Sequence, residues 1–268
     1  MNIPTDPRLE AFKRLLDIMD DLREKCPWDR EQTMESLRHL TIEETYELGD
    51  AILQNDLQEI KKELGDLALH IVFYAKIGKE KDAFDITDVF NGICDKLILR
   101  HPHIYGDVKA DTPEQVKKNW EQIKLKEGRK SVLEGVPKGL PSLVKAQRIQ
   151  DKAAGVGFDW DHAEQVWEKV QEELTELREE IKAGNKTKTE QELGDVFFAL
   201  VNYARFLGVN PEDALERTNT KFIRRFSFME KAISTEGKSM KDMTLEELDV
   251  YWNRSKKSES SPNNDGAE

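Results

Sequence analysis

Cysteine is scarce in this 268-residue chain, which contains only Cys26 and Cys94. The two lie far apart and in different local contexts, so neither a disulfide framework nor a zinc site is expected. No apolar run reaches the roughly 18 residues that a membrane span needs, and the N-terminus lacks the apolar segment of a signal peptide. We therefore expect a reduced, cytoplasmic protein with no membrane partner.

Positive charge is also in deficit, because 41 lysines and arginines face 53 aspartates and glutamates, which gives a formal net charge of −12. Such a chain repels a nucleic-acid backbone, and no basic stripe reverses the effect, so no nucleic-acid partner is expected. A Ser-His-Asp ordering, a Walker-type glycine loop and a Rossmann fingerprint are missing as well. The nucleophile of any hydrolytic reaction would therefore be water.

What the chain does contain is one pattern of four carboxylates that occurs twice, and each offset, for example from Glu44 to Glu173, is 129 residues. Residues three apart on a helix share a face, and a short connection between helices favours an antiparallel pair. The four carboxylates of each copy should therefore converge on one interhelical groove. The first copy comprises Glu44, Glu47, Glu63 and Asp66, and the second comprises Glu173, Glu176, Glu192 and Asp195.

Carboxylates this close raise one another's pKa and destabilise a fold unless a cation joins them. A single acidic pair on a helix is usually just a solvated face, but a doubled four-acid pattern favours metal binding. An all-oxygen set suits Mg²⁺, with Mn²⁺ as a substitute, whereas zinc or copper would require His or Cys. Gly65 and Gly194 precede the two aspartates inside predicted helices, which suggests close approach of a backbone or a ligand.

Apolar residues recur at helical spacing along nearly the whole chain, and no sustained period-two alternation calls for strands. Gly and Pro crowd together at 128–141, which predicts a linker between an N-terminal domain at 1–127 and a C-terminal domain at 142–257. The polar stretch 258–268 is expected to be disordered. The helices are predicted at 9–22, 34–52, 57–77, 85–99, 113–126, 143–154, 162–183, 188–207, 211–235 and 245–257.

Basic and aromatic residues in the second half could contact a nucleotide. Lys221 and Arg225 are four apart and share a helix face, which suits phosphate oxygens, although a salt-bridged face fits the spacing equally well. Trp252 could stack on a base while Lys256 meets a phosphate, but a tryptophan at this spacing is more often part of a core. Lys169 could contact the nucleotide or form an ordinary helix ion pair with the acid four residues later.

Taken together, these residues resemble the MazG family of nucleoside triphosphate pyrophosphohydrolases, in its two-domain bacterial form, over about residues 7–257. The motifs that carry the resemblance are the two acidic sets, Cys26-Pro27-Trp28-Asp29, Arg100-His101-Pro102-His103, Lys221-Phe222 and Arg224-Arg225-Phe226.

The resemblance implies an all-α fold of two tandem, duplicated helical bundle domains that dimerise, with helices from both subunits completing each site. It implies Mg²⁺-dependent hydrolysis of (d)NTPs at the α–β phosphate bond to NMP and pyrophosphate, in the control of nucleotide pools. All eight acids named above would be metal ligands. From its place beside Glu173 in the sequence, Glu172 is a candidate base that orients the attacking water, although a metal-bound hydroxide would serve without it. The first half lacks an evident match to the Lys221/Arg225 pair, so the second half should carry most activity. The residues facing the nucleotide would be Lys169, Lys221, Arg224, Arg225, Trp252 and Lys256.

Two alternatives stay open. One is a narrower enzyme of the dUTP or phosphoribosyl-ATP pyrophosphohydrolase type on a related bundle. The other is a non-catalytic regulatory dimer whose helices are stabilised by metal. A di-iron carboxylate bundle fits less well, because the expected Glu-x-x-His pairs are missing. Base preference, the number of metals per site and any protein partner are left open by the sequence.

Overall fold

The computed structural model describes residues 6–113, 115–116, 119–120, 123 and 131–260, and the chain divides into two units, Met1–Gly128 and Arg129–Glu268. Within the described residues every regular element is helical. The first unit contains α1 (Pro7–Lys25), α2 (Pro27–Glu31), α3 (Met34–Gln54), α4 (Leu57–Glu80), α5 (Ile86–Arg100) and α6 (Pro102–Tyr105). The second contains α7 (Ser142–Ala154), α8 (Ala163–Ala183), α9 (Lys186–Phe206), α10 (Pro211–Thr235), a 3₁₀ turn (Met240–Asp242) and α11 (Leu245–Ser260).

The same two-residue turn joins the acid-bearing helices in both units. In the first, Asn55 ends α3 in the left-handed region at φ 57°, and the Asp56 side chain accepts backbone N–H groups at the start of α4. In the second, Gly184 ends α8 at φ 69°, and the Asn185 side chain accepts a backbone N–H of α9. A left-handed C-cap followed directly by an Asx N-cap stops one helix and starts the next. Each acid-bearing pair is therefore a tight helical hairpin.

Apolar packing holds each hairpin in place. In the first unit, α4 packs against α1, α3 and α5, and its core is the cluster formed by Met19, Leu37, Val72, Phe73 and Ile77. In the second unit, valines buried along α8 and α9 close that hairpin. A separate cluster of Met229, Ile233 and Tyr251 holds α11 against α10. The acids thus stand on helices that are fixed by apolar packing, and the buried acids Glu63 and Glu173 lie on the packed faces themselves, which restricts their movement.

The predicted helices correspond to the observed ones over most of the described chain. The predicted helix at 113–126 lies largely outside the described residues, as do residues 261–268 of the predicted tail. Helix α11 continues to Ser260, so the first residues of that tail are helical rather than disordered. The unit division falls within the predicted linker 128–141. Among the described residues, no helix is both long enough and apolar enough to cross a membrane.

Candidate metal and nucleotide site

The α8–α9 hairpin of the second unit brings three carboxylates together. Oxygens of Glu173 and Glu176 from α8 and of Glu192 from α9 all lie within 4.8 Å of one another. Glu173 is buried, with 7% of its surface exposed, whereas Glu176 is exposed and Glu192 is half-buried. Asp195, one turn beyond Glu192, is exposed and lies outside this close group. Three of the four predicted ligands of this copy therefore converge as the spacing predicts.

The electrostatics of this group favour a cation. Burial raises the pKa of Glu192, and the neighbouring charges of Glu176, Asp195 and Glu173 raise it further. Asp195 thus acts on the group through its charge although it stands outside the close set. Like charges raise the pKa of a carboxyl because they repel its ionised form. A divalent cation bound in place of the proton offsets that repulsion and stabilises the group.

Lys169 brings positive charge to this group. Its Nζ lies 2.7 Å from Glu173 Oε1 and 2.9 Å from Glu172 Oε1, as i,i+4 and i,i+3 ion pairs on α8. Hydrogen bonds to Glu172 and Glu173 raise the pKa of Lys169. Of the two interpretations of Lys169 that the sequence allows, the structure shows the helix ion pair. Glu172, the predicted water-orienting base, stands beside the carboxylate group and is exposed.

The first unit contains a matching group on α3 and α4. Oxygens of Glu44, Glu63 and Asp66 lie within 4.8 Å of one another, and Glu47 lies outside the close group. Burial raises the pKa of Glu44, and the charges of Asp66 and Glu47 add to the effect. Glu63 is 2% exposed, and its Oε1 accepts a hydrogen bond from Lys62 Nζ at 2.9 Å. Its other oxygen, Oε2, is buried without a hydrogen-bond partner.

The two copies differ in which acid is buried and in where the lysine comes from. The buried acid is Glu63 on the second helix of the first hairpin, but Glu173 on the first helix of the second hairpin. The lysine is Lys62 in the first unit and Lys169 in the second. At the equivalent positions of the other copy stand a glutamine and a leucine. The duplicated acids therefore carry different surroundings in each unit.

Both groups suit a hard divalent cation such as Mg²⁺. Ligand oxygens sit about 2.1 Å from Mg²⁺, so oxygens around one ion are at most about 4.2 Å apart. Carboxylate oxygens within 4.8 Å need only small side-chain rotations to reach that geometry. In the first unit, the unpartnered Oε2 of Glu63 points to the same conclusion, because a buried polar atom without a partner is costly.

The predicted nucleotide-facing residues of α10 and α11 form a second group. The rings of Phe222 and Trp252 lie 5.1 Å apart, and the Arg225 guanidinium lies 5.9 Å from the Trp252 ring centroid. Trp252 is half-buried, and Lys256, one turn further along, donates to Asn253 Oδ1 at 3.3 Å. The structure therefore brings Arg225 and Trp252 together, and it also packs Trp252 against the cluster of Met229, Ile233 and Tyr251, as expected for a core tryptophan.

The ion pairs seen at the acidic group of the described second unit are those of Lys169 with Glu172 and Glu173. A Cβ added at Gly65 or Gly194 would meet nothing within 4 Å beyond the chain neighbours and the backbone of its own helix. Close approach of another backbone is therefore not seen in the described chain, and close approach of a ligand stays a prediction.

Comparison with known proteins agrees with this arrangement. A family model described as the MazG nucleotide pyrophosphohydrolase domain matches residues 32–105 and 162–227, which include both acidic hairpins. One relative, the nucleoside triphosphate pyrophosphohydrolase of Escherichia coli (strain K12), is 42% identical over 260 residues, 94% of this chain and 99% of the relative. Another, the nucleoside triphosphate pyrophosphohydrolase/pyrophosphatase MazG of Thermotoga maritima, is 44% identical over 250 residues, 91% of this chain and 95% of the relative.

A crystal structure of a mazG-related protein from Thermotoga maritima matches 42% of this chain and 98% of its own, with 26% identity and a TM-score of 0.38. At that TM-score the likeness carries no weight for the fold. The helices and carboxylates define an α-helical protein with two acid-lined hairpins. The matched domain segments and the near full-length relatives show that the chain belongs to the MazG nucleotide pyrophosphohydrolase family. The family resemblance inferred from the sequence motifs is therefore confirmed.

Proposed function

We propose that this chain is a Mg²⁺-dependent nucleoside triphosphate pyrophosphohydrolase, which converts (d)NTPs and water to NMP and pyrophosphate. The observation that carries the proposal is the convergence of Glu173, Glu176 and Glu192 within 4.8 Å on a hairpin of this family. The names of the Escherichia coli and Thermotoga maritima relatives describe the same activity.

The carboxylates of the second unit would hold Mg²⁺, with Asp195 adding its charge from one turn away. When bound, the ion neutralises charge on the triphosphate and polarises the phosphorus under attack. Lys169 would then exchange part of its pairing with Glu172 and Glu173 for the anionic substrate. Glu172, released from that lysine, would orient the attacking water.

Residues of α10 and α11 would bind the rest of the substrate. Lys221 and Arg225 carry donors for the phosphate oxygens, with Arg224 beside them, and stabilise charge as the α–β bond breaks. Trp252 offers a ring on which a base can stack, and Lys256 follows one turn later on the same helix. Arg225 already lies against Trp252, which supports a shared role in nucleotide binding.

We further propose that the protein works as a homodimer. Leu193, Phe197 and Leu200 follow one face of α9 and are 41%, 55% and 41% exposed. On α4, the positions equivalent to Leu193 and Leu200 are Leu64 and Ile71, which are exposed at 53% and 46%. An apolar stripe exposed at equivalent positions of two hairpins is the kind of surface that a second copy covers. The dimer would also bring basic residues of one protomer towards the acidic group of its partner.

We assign most of the turnover to the second unit, since the first lacks a match to Lys221 and Arg225. We place the domains at 1–127 and 142–257, with 128–141 as the linker between them. The cytoplasmic setting and the absence of a nucleic-acid partner stay predictions from the composition.

The test is product identification. The protein is incubated with Mg²⁺ and with each NTP, each dNTP including dUTP, or phosphoribosyl-ATP, and the products are assigned by ³¹P NMR, with an EDTA-treated sample as the control. The proposal expects NMP and pyrophosphate only with the metal, and NDP with phosphate would overturn it. Turnover confined to dUTP or phosphoribosyl-ATP would favour the narrower enzyme. Metal-dependent melting without pyrophosphate would favour the regulatory dimer.

A further inference from the structure

The end of α10 carries an acid that collects three hydrogen bonds. Glu236 is the residue that follows α10, and its carboxylate accepts from the Tyr251 hydroxyl, from Arg254 Nη1 at 2.9 Å and from Lys238 Nζ at 3.0 Å. Lys238 Nζ also donates to the Tyr251 hydroxyl at 3.0 Å. Tyr251 and Arg254 belong to α11, so this network, which we call the Glu236 clamp, ties one helix to the end of the other.

The clamp surrounds a buried aromatic ring. Tyr251 is 5% exposed and packs against Met229 and Ile233 of α10. The Lys238 ammonium and the Arg254 guanidinium lie 5.6 Å and 5.2 Å from its ring centroid. Apolar packing on one side and charged hydrogen bonds on the other determine both the depth and the rotation of α11 on α10.

That rotation decides where the nucleotide-facing residues of α11 point. Trp252 directly follows Tyr251, so turning α11 about its axis would move the indole away from Phe222 and Arg225, which it now contacts. Lys256 lies four residues beyond Trp252 and on the same face. The clamp residues thus control these two side chains without being part of their face.

We propose that Glu236 is a positioning residue for nucleotide binding, whose clamp holds α11 so that Trp252 and Lys256 face the substrate. The proposal rests on the proposed function. In that function Glu236 contacts neither the substrate nor the metal, and it acts only by holding α11 in place.

The charge of the clamp is constant under working conditions. The hydrogen bond from Tyr251, followed by those from Arg254 and Lys238, lowers the pKa of Glu236 to about 2. A lowered pKa means that the carboxylate stabilises the fold at every pH above its unfolded pKa and loses this effect only in strong acid. The clamp is therefore a permanent support rather than a pH switch.

The experiment compares Glu236→Gln with Glu230→Gln, an exposed glutamate on the same helix that is not in the clamp. Pyrophosphate release is measured against NTP concentration in the full-length protein. For Glu236→Gln we expect KM to rise on the order of fivefold, with kcat within about twofold of the starting protein. Glu230→Gln should leave both unchanged. Tyr251→Phe removes one donor of the clamp and keeps the ring, so it should also raise KM. It keeps the inference testable if Glu236→Gln fails to fold.

A double-mutant cycle with Trp252→Ala then asks whether Glu236 acts through the indole. We expect Glu236→Gln to raise KM much less in the Trp252→Ala background than in the starting protein. Equal KM effects in both backgrounds, or an unchanged KM for Glu236→Gln and Tyr251→Phe, would overturn the inference while the function stands. Absence of pyrophosphate release by the unmodified protein would instead remove the proposed function itself.

Discussion

Replacing Glu63 by glutamine should stabilise the metal-free protein. The Glu63 carboxylate is buried in the first unit, its Oε2 has no hydrogen-bond partner, and oxygens of Glu44 and Asp66 lie within 4.8 Å of an oxygen it offers. Glutamine keeps the shape, removes one negative charge from the group and gives an amide N–H₂ that can donate to a neighbouring carboxylate. The lost pairing with Lys62 matters little, because that side chain is 59% exposed.

The magnitude follows from burial. A buried polar atom without a partner costs about 1–3 kcal/mol, and relief of like-charge repulsion adds to the gain. For a unit of this size, 1 kcal/mol moves the melting midpoint by about 3–5 °C. In EDTA, Glu63→Gln should therefore melt about 3–15 °C above the unmodified protein.

Calorimetry with and without Mg²⁺ measures both effects. Mg²⁺ should raise the midpoint of the unmodified first unit, because a ligand that binds only the folded state stabilises it, and it should raise that of Glu63→Gln less. Glu59→Gln is the matched control, since Glu59 pairs with the same lysine at 3.3 Å but is exposed. A Glu63→Gln variant that melts below the unmodified protein in EDTA, or that gains as much from Mg²⁺, would refute the reasoning.

Two further predictions concern metal affinity and assembly. Burial and neighbouring carboxylates raise the pKa of Glu44 and Glu192 above 4.5, so the folded protein holds these protons more tightly than the unfolded chain, and metal-free stability should fall as pH rises through the raised values. Titration calorimetry should show Mg²⁺ affinity increasing as pH rises through the raised pKa values and protons leave, and a flat profile would contradict this. Phe197→Glu places a charge in the exposed stripe of α9 and should convert a dimer to a 31.0 kDa monomer by light scattering, whereas an unchanged mass would place the interface elsewhere.

Local signals in the sequence were sufficient to predict the two helical hairpins and to locate the acids on them. Helix α10 begins at Pro211 and ends at Thr235, as predicted, because Asn210 caps it and proline fits its first turn. The three-residue spacing predicted a common groove for the acids, and three acids of each copy do converge, whereas Glu47 and Asp195 lie outside the close groups. Helix α2 was missed, since five residues are too few to show a period.

Tertiary contacts account for what spacing could not predict. Lys62 reaches the carboxylate of its immediate neighbour, although adjacent helical residues do not normally face each other. Which acid is buried, Glu63 or Glu173, depends on the helices packed around each hairpin rather than on the motif. The Glu236 clamp joins residues up to 18 positions apart through a turn, and no periodic pattern announces it.

The account depends most on the carboxylate group of the second unit, and the matched pair Glu192→Gln and Glu63→Gln tests it directly. Pyrophosphate release from an NTP in Mg²⁺ is measured for both variants, with circular dichroism as the check on helix content. We predict that Glu192→Gln loses at least about 100-fold in turnover, since removing a metal ligand removes stabilisation of the transition state. Glu63→Gln should retain most of it. Pyrophosphate release by Glu192→Gln at the unmodified rate, with its helices intact, would contradict the assignment.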